Sequence, residues 1–412
     1  MGAVLHQKKE GQELSLSELH EVIIDAAKQL EGYTIQTRRY LHQNPELSWQ
    51  EENTLNFIKS EIASSTQNSP YKFDLVEKKG GIWLDMQVNI QAPRVLFRAD
   101  IDALPIQEEN DVTYASDVDG VMHACGHDCH AAMLLAAVKA FAEGLVTPKC
   151  NIRFVFQRAE EIGGTVSGGS LLVEEGVCQD VDAAYCLHVS VKDTPGLFLC
   201  KPGMKFCNPM TVEIEVETEG GHVASPFIGT NSLDVITSII TELRGVERLL
   251  FPPTEPVVFV PSVVKAGTAA NIRPNRARVV FALRNFFSEE KKDIFFKHVK
   301  QKVDSIVSSY EMTSVREFKI AEGYPILIND PRSTRFVSSN LNSMGFMTDP
   351  DDLSFAGDDF AYYLQKVMGS YWVLGAWQQE TLDHHTAKFH PDEKALYQGV
   401  AFWLLLGCRR PI

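Results

Sequence analysis

The chain has 412 residues, 44% of them hydrophobic, which is more than one hydrophobic core usually absorbs, so two domains are expected. Its 39 basic and 54 acidic residues leave a net charge of −15, and that acidity excludes a nucleic-acid or anionic-membrane partner, since both need basic footprints. No apolar run approaches the roughly 18 to 20 residues of a membrane span, so no membrane association is expected.

The opening residues 1 to 15 carry no apolar core behind a basic segment, which argues against an export signal. His6 stands where N-myristoylation of Gly2 would want Ser or Thr. The eight cysteines, at 125, 129, 150, 178, 186, 200, 207 and 408, form no disulfide-like framework. They read as reduced, mostly buried residues, and the cytoplasm is the expected compartment.

Leu16, Leu19, Ile23, Ala26, Ala27 and Leu30 share one helical face, so an amphipathic helix is expected over 14 to 31. Helical patterning continues from Thr34 to Leu41, breaks near Pro45 and resumes over 50 to 63. Val95 to Ile101 reads as a strand, Ala131 to Ala142 as a helix stopped at Gly144, and Ile152 to Gln157 as a second strand. A helix over 168 to 176 and a strand from Ala183 to Leu187 follow, and this alternation implies a largely parallel sheet flanked by helices. The pattern changes near Phe206. Thr211 to Glu217 alternates apolar and polar, 231 to 250 reads as a helix, 257 to 264 and 277 to 284 as strands, 288 to 308 as a helix and 315 to 320 as a last strand. That order fits a small α+β unit of split-βαβ type. Helices over 332 to 343 and 393 to 406, with a strand from Tyr371 to Leu374, return to the first pattern. The reading is therefore a main α/β domain of residues 1–205 plus 321–412, interrupted by an inserted unit of residues 206–320.

Three strand-like runs end in groups that bind cations or protons: Asp100 and Asp102, Glu160 and Glu161, and His188. In open α/β sheets, ligands bind beyond the carboxyl ends of the strands, so these residues are expected to share one crevice. The segment His123-Ala-Cys-Gly-His-Asp-Cys-His130 places three imidazoles, two thiols and a carboxylate within eight residues, directly before an apolar helix. Cys125 and His127 are two apart, close enough for a turn to bring thiolate and imidazole to one zinc-like ion. Two other readings compete: a polar loop leading to Asp128 as a helix N-cap, and a thiol hydrolase with Cys125 as nucleophile. The adjacent Glu160 and Glu161 suit a division of labour in which one binds metal and the other moves a proton. The glycines of Gly163-Gly-Thr-Val-Ser-Gly-Gly169 precede no Gly-Lys-Ser/Thr and read as turn chemistry. Asp383-His-His-Thr-Ala-Lys-Phe-His390 supplies three late imidazoles.

At these residues the chain resembles the amidohydrolase branch of the dinuclear aminoacylase/carboxypeptidase superfamily, which includes hippurate hydrolases, N-acyl-amino-acid amidohydrolases and auxin-conjugate hydrolases. The matching blocks are Arg38-Arg-Tyr-Leu-His-Gln-Asn-Pro-Glu-Leu47, Arg98-Ala-Asp-Ile-Asp-Ala-Leu-Pro105, Met122-His-Ala-Cys-Gly-His-Asp128 and Gln157-Arg-Ala-Glu-Glu161. They continue with Leu187-His188, Gly220-Gly-His222, Ala266-Gly-Thr-Ala-Ala-Asn271 and His385-Thr-Ala-Lys-Phe389, in family order over nearly the whole chain. The resemblance implies a di-metal exopeptidase-like catalytic domain with an inserted ferredoxin-like lid. It implies two divalent ions, zinc or manganese with cobalt or nickel as alternatives, held by Cys125, His127, Glu161, His188 and His385, with His384 as the alternative to His385. Glu160 is then the general base, and Asp100 a carboxylate orienting an imidazole ligand. His222 is implied as the oxyanion donor, reaching an active site that in this superfamily is often the neighbouring subunit's. Asn271 and Arg284 match positions that grip the substrate's free carboxylate. The implied reaction is hydrolysis of the amide bond of an N-acyl amino acid or short peptide by a homodimer joined through the lid. A dipeptidase or carboxypeptidase using the same site is the alternative, and a non-catalytic metal-dependent binding module a further one. The chain departs from the family pattern at Arg158, where a proline is usual, and at Asp358, where a glutamate is. It departs also in Pro226-Phe-Ile-Gly-Thr-Asn231 and Cys207-Asn-Pro-Met210. These changes are expected to bear on substrate choice rather than reaction type.

Overall fold

The computed structural model describes residues 14–164 and 166–409. The expectations about an export signal and acylation fall on the first residues and lie outside the described ones. Helix α1 (Leu16–Gln29) starts at Ser15, whose hydroxyl accepts from the Glu18 N–H while the Glu18 carboxylate accepts from the Ser15 N–H at 2.8 Å. This reciprocal pair satisfies two backbone donors that a helix start leaves free. Helices α2 (Glu31–Gln43) and α3 (Glu52–Thr66) follow, separated at Pro45. Next come β1 (Lys72–Lys78) and β2 (Gly81–Gln87), an antiparallel hairpin that the sequence reading passes over. Its turn requires glycine: Gly81 has φ 142°, and a Cβ there would lie 2.3 Å from the Phe156 carbonyl oxygen.

The expected alternation then appears as β3 (Arg94–Asp100), α4 (His127–Ala142), β4 (Asn151–Gln157), α5 (Gly168–Glu174) and β5 (Ala183–Ser190). Helix α4 begins at His127, four residues earlier than the apolar pattern alone implies. Short strands β6 (Phe198–Leu199) and β7 (Gly203–Phe206) lead to β8 (Asn208–Glu217) and β9 (Gly221–His222). The single helix expected over 231 to 250 is two: α6 (Ser232–Leu243) and α7 (Glu247–Leu250). They part because Arg244 is extended and Gly245 takes φ 79°. The rest is β10 (Val257–Ala266), β11 (Ile272–Arg273), β12 (Arg276–Asn285), α8 (Glu289–Ser308), β13 (Ser314–Glu322), β14 (Leu327–Asn329), α9 (Pro331–Ser343), β15 (Thr348–Asp349), α10 (Ala361–Leu364), β16 (Met368–Gly375) and α11 (Leu396–Cys408).

The large sheet runs β1-β2-β4-β3-β5-β16-β6-β15, and its centre, β4-β3-β5-β16, is parallel. Helices flank it as expected for an α/β fold. Alternate residues of β3 serve opposite faces: Val95 and Phe97 join one core with α1, α4 and α11, while Leu96 joins the other with Leu172, Phe360 and Tyr371. The antiparallel small sheet β10-β12-β8-β13 has its own core, in which Val212, Ile214, Phe281 and Leu283 meet Ile239, Phe295 and Val303 of α6 and α8. The chain leaves and re-enters the main body side by side, because β7 pairs with β14. No helix among the described residues is long and apolar enough to cross a membrane.

Trp403 in α11 is buried against Phe97 and Phe402, with ring centroids 5.0 and 4.9 Å away. Trp403→Ala is expected to lower unfolding stability by about 3–5 kcal/mol through lost contact and a residual cavity. Urea denaturation followed by circular dichroism measures this, and a loss below about 1 kcal/mol would show that the core closes over the gap.

Candidate metal centre

The carboxyl ends of the parallel strands deliver the chemistry. Strand β3 ends at Asp100, with Asp102 just beyond, and β4 ends two residues before Ala159 and the Glu160-Glu161 pair. His188 lies in β5, and His385 in the loop after β16. Cys125 and His127 flank Gly126, the residue before α4, which takes φ 89°. A Cβ there would lie 2.3 Å from a Val189 methyl, so a glycine is required for the turn that brings thiol and imidazole together. Ala159 and His385 also sit in the left-handed region, at φ 48° and 61°. Such conformations persist in non-glycine residues only where their surroundings hold them. The His385 N–H donates to the Ala124 carbonyl at 2.8 Å, which fastens the tail loop to the cysteine loop.

The structure brings all five candidate ligands together. Cys125, His127 and His188 place one donor atom each within 4.8 Å of one another, and so do Cys125, Glu161 and His385, and His127, Glu160 and Glu161. These sets overlap, which is the arrangement two neighbouring ions require. Cys125 Sγ lies 3.5 Å from His188 Nε2, and Glu161 Oε1 lies 3.2 Å from His385 Nε2 and 3.8 Å from His127 Nε2. The imidazoles are oriented to present Nε2. His188 donates from Nδ1 to the Val189 carbonyl at 2.7 Å, and His127 from Nδ1 to Asp102 at 3.2 Å. His127 Nε2 is buried without a hydrogen-bond partner, which suits an atom that binds a cation. His384 turns aside, its Nε2 donating to the Val189 carbonyl at 3.0 Å.

One role shifts. Asp100, expected to orient an imidazole ligand, bonds His130 Nδ1 at 2.6 Å and Arg98 at 2.5 Å, and comes no nearer than 3.7 Å to His127 Nε2. Asp102 performs the orienting, and it also accepts from Ser48 Oγ at 2.8 Å and from the Glu161 N–H at 3.0 Å. Asp100 ends β3 and Asp102 follows two residues later, so spacing alone does not separate them. Tyr324, which donates to the Glu160 carbonyl, was also missed; no sequence signal marks it.

Burial raises the Glu160 carboxyl well above its ordinary range, and Asp358, Glu161 and Asp359 add to the rise. Burial likewise pushes the Cys125 thiol up, reinforced by Glu161 and Glu160. For His127 burial pulls the other way, but Asp100, Asp102 and Glu161 prevail and raise it to about 10. This crowd of anions favours bound positive charge, which fits divalent ions. It opposes an ionised Cys125 acting alone as nucleophile.

A cleft of about 880 Å³ opens over these residues, lined by Cys125, Glu160, Glu161, His188, Tyr324 and His385 among others. Arg284 also lines it, exposed and without an ion-pair partner among the described residues, whereas Lys205 pairs with Asp351 and Lys192 with Asp383 at 2.7 Å. His222 and Asn271 do not line it. They lie exposed at the β9–β11 ladder of Gly221–His222 and Ile272–Arg273. Arg158, expected to bear on substrate choice, turns away from the cleft to Glu51 and Glu52.

A parallel-centred α/β scaffold thus carries overlapping thiol, imidazole and carboxylate donor sets beyond its strand ends, a constellation suited to divalent metal ions. Residues 96–407 match the model of peptidase family M20/M25/M40, and the chain belongs to that family. It is 30% identical to thermostable carboxypeptidase 2 of Saccharolobus solfataricus over 95% of this chain and 99% of that one. It is 31% identical to an N-acetylcysteine deacetylase of Bacillus subtilis, over 88% and 92%. Among solved structures, a Bacillus subtilis protein described as a dinuclear metal binding peptidase from the M20 family superposes with a TM-score of 0.78 at 28% identity, covering 93% of this chain and 99% of that one.

Asp102→Asn leaves His127 free to turn or to take the wrong tautomer. Divalent-ion affinity is expected to fall about 10- to 100-fold, read by competition with a chromogenic chelator, with the circular dichroism spectrum unchanged. Wild-type affinity in that variant would return the orienting role to another group.

Proposed function

We propose that the protein hydrolyses the amide bond of N-acyl amino acids, using two divalent ions held by Cys125, His127, Glu161, His188 and His385. The observation that carries this reading is the overlap of the donor sets around Glu161 and the buried His127 Nε2, which has no hydrogen-bond partner. Bound there, such ions supply Lewis acidity to a carbonyl and lower the pKa of water. The thiolate and imidazoles favour zinc, while the carboxylate admits manganese, cobalt or nickel.

Glu160 lines the cleft beside the ligand Glu161 and takes the proton of the attacking water, then passes it to the departing nitrogen. Its burial, at 7% exposure, and its carboxylate neighbours raise its proton affinity, which suits a base that must also act as an acid. Arg284, the cleft's uncompensated cation, pairs with the free carboxylate of the substrate. His222 Nδ1 accepts from the Ala224 N–H at 3.0 Å, so the imidazole proton sits on Nε2, where it can serve an oxyanion. On this reading His222 and Asn271, exposed at their ladder, serve the cleft of a second copy rather than their own. Edge strand β10 exposes Val260, Val263 and Val264, an apolar margin suited to such a homodimer. Cys125, Cys129, Cys178, Cys186, Cys200, Cys207 and Cys408 form no disulfide, which fits a reducing compartment such as the cytoplasm.

Elemental analysis should find close to two ions per chain. Hydrolysis of N-acetyl- and N-benzoyl-amino acids should be lost to a chelator and restored by metal. A loaded protein inert toward these and active on dipeptides would move the assignment to a peptidase. Glu160→Gln is expected to keep its metal and lose about 10²- to 10⁴-fold in kcat, and near-normal turnover would remove Glu160 from the base role.

A further inference from the structure

Nothing in the reaction above uses Arg158. Neither Arg158 nor Glu51 lines the cleft. The Arg158 guanidinium donates from Nε to Glu51 Oε2 at 2.8 Å and from Nη2 to Glu52 Oε1 at 2.7 Å. Glu51 is completely buried, and its other oxygen accepts from the Ala159 N–H at 2.8 Å. One buried carboxylate therefore grips two successive residues, the side chain of 158 and the backbone of 159.

Ala159 is the elbow of this segment. Its left-handed backbone, at φ 48°, is strained for an L-residue, and the next two residues are Glu160 and Glu161. Beyond the elbow the chain is held by the Gly168 N–H donating to the Ala159 carbonyl at 3.2 Å, by Tyr324 donating to the Glu160 carbonyl, and by the Glu161 N–H donating to Asp102. On the strand side, Glu51 and the Arg158 N–H hold it, the latter donating to the Gly80 carbonyl at 2.9 Å. A proline at 158 would fix φ through its ring but forfeit that last bond.

We propose that Arg158 and Glu51 form a positioning pair that fixes the Ala159 elbow and thereby aims Glu160 and Glu161 into the metal centre. The inference rests on the proposed roles of those two glutamates. The pair acts only through the backbone it holds, so its loss should move the carboxylates without touching the substrate.

The test is a double-mutant cycle of Arg158→Ala and Glu51→Gln, read by kinetics at saturating metal and by divalent-ion affinity from chelator competition. Each single variant is expected to lose about 10- to 100-fold in kcat with KM within about twofold, because small misplacements of reacting groups are costly. Each should also weaken ion affinity by about tenfold or more, as loss of outer support for a ligand does. The double variant should be no worse than the poorer single, since the two residues act as one unit. Arg158→Lys, which keeps the charge, should recover part of both losses, and Arg158→Gln less. Multiplying effects in the double variant, a loss carried mainly by KM, or wild-type kcat and affinity in Arg158→Gln would each overturn the pair. Should Arg158→Ala fail to fold, the ranking of wild type, Lys and Gln decides in the same way. Ion affinity separates the two readings: affinity lost across the cycle in a protein that cleaves no amide would sustain the pair and sink the reaction.

Discussion

The centre depends on a single buried carboxylate, Asp102. It receives Ser48 from the segment before α3, His127 from the start of α4 and the Glu161 N–H from the turn after β4. Three parts of the chain that share no local contact are thereby placed within reach of one another. Removed from water, an unpaired carboxylate costs several kcal/mol, so the fold that buries Asp102 must also supply its partners. The imidazole and the glutamate are positioned as a by-product of satisfying that anion.

Behind this lies a second layer of buried charge. Arg98, fully enclosed on β3, pairs with Asp100 at 2.5 Å and Asp359 at 2.6 Å and donates to Gln157 at 3.0 Å. Arg38 on α2 pairs with Asp128 at 2.8 Å and Glu393 at 3.1 Å, and His42 bridges Asp128 and Glu108. Breaking one partner of such a pair costs about 3–5 kcal/mol, because the remaining charge is stranded. The charged floor is therefore rigid, whereas the cleft above it is lined by half-exposed loops. Rigidity beneath and access above are what a hydrolytic centre with exchangeable substrate needs.

The donor residues were legible because their signals are local. A cysteine and histidine two apart before an apolar helix, and a Glu-Glu pair just past a buried strand, announce themselves by spacing. The β1–β2 hairpin was passed over although Phe73, Leu75 and Ile82 to Leu84 carry apolar signals, because charged residues interrupt them. Asp100 was expected to orient a ligand imidazole, yet His127 bonds Asp102 and Asp100 bonds His130, a choice made by the turn after β3. Arg158 was expected to bear on substrate choice, and its partner Glu51 was not legible because it lies 107 residues earlier in the chain.

By itself, then, the sequence determined the family, the alternation of strands and helices, and which donor side chains gather at the strand ends. Periodicity and short spacing are written along the chain and need no folding to be read. Only the tertiary structure decided which carboxylate meets which imidazole, that Arg284 faces the cleft while His222 and Asn271 stand outside it, and that Arg158 turns to a buried glutamate. Those pairings answer the cost of burying charge. Which charges are buried together depends on how distant segments pack, and no local pattern records that.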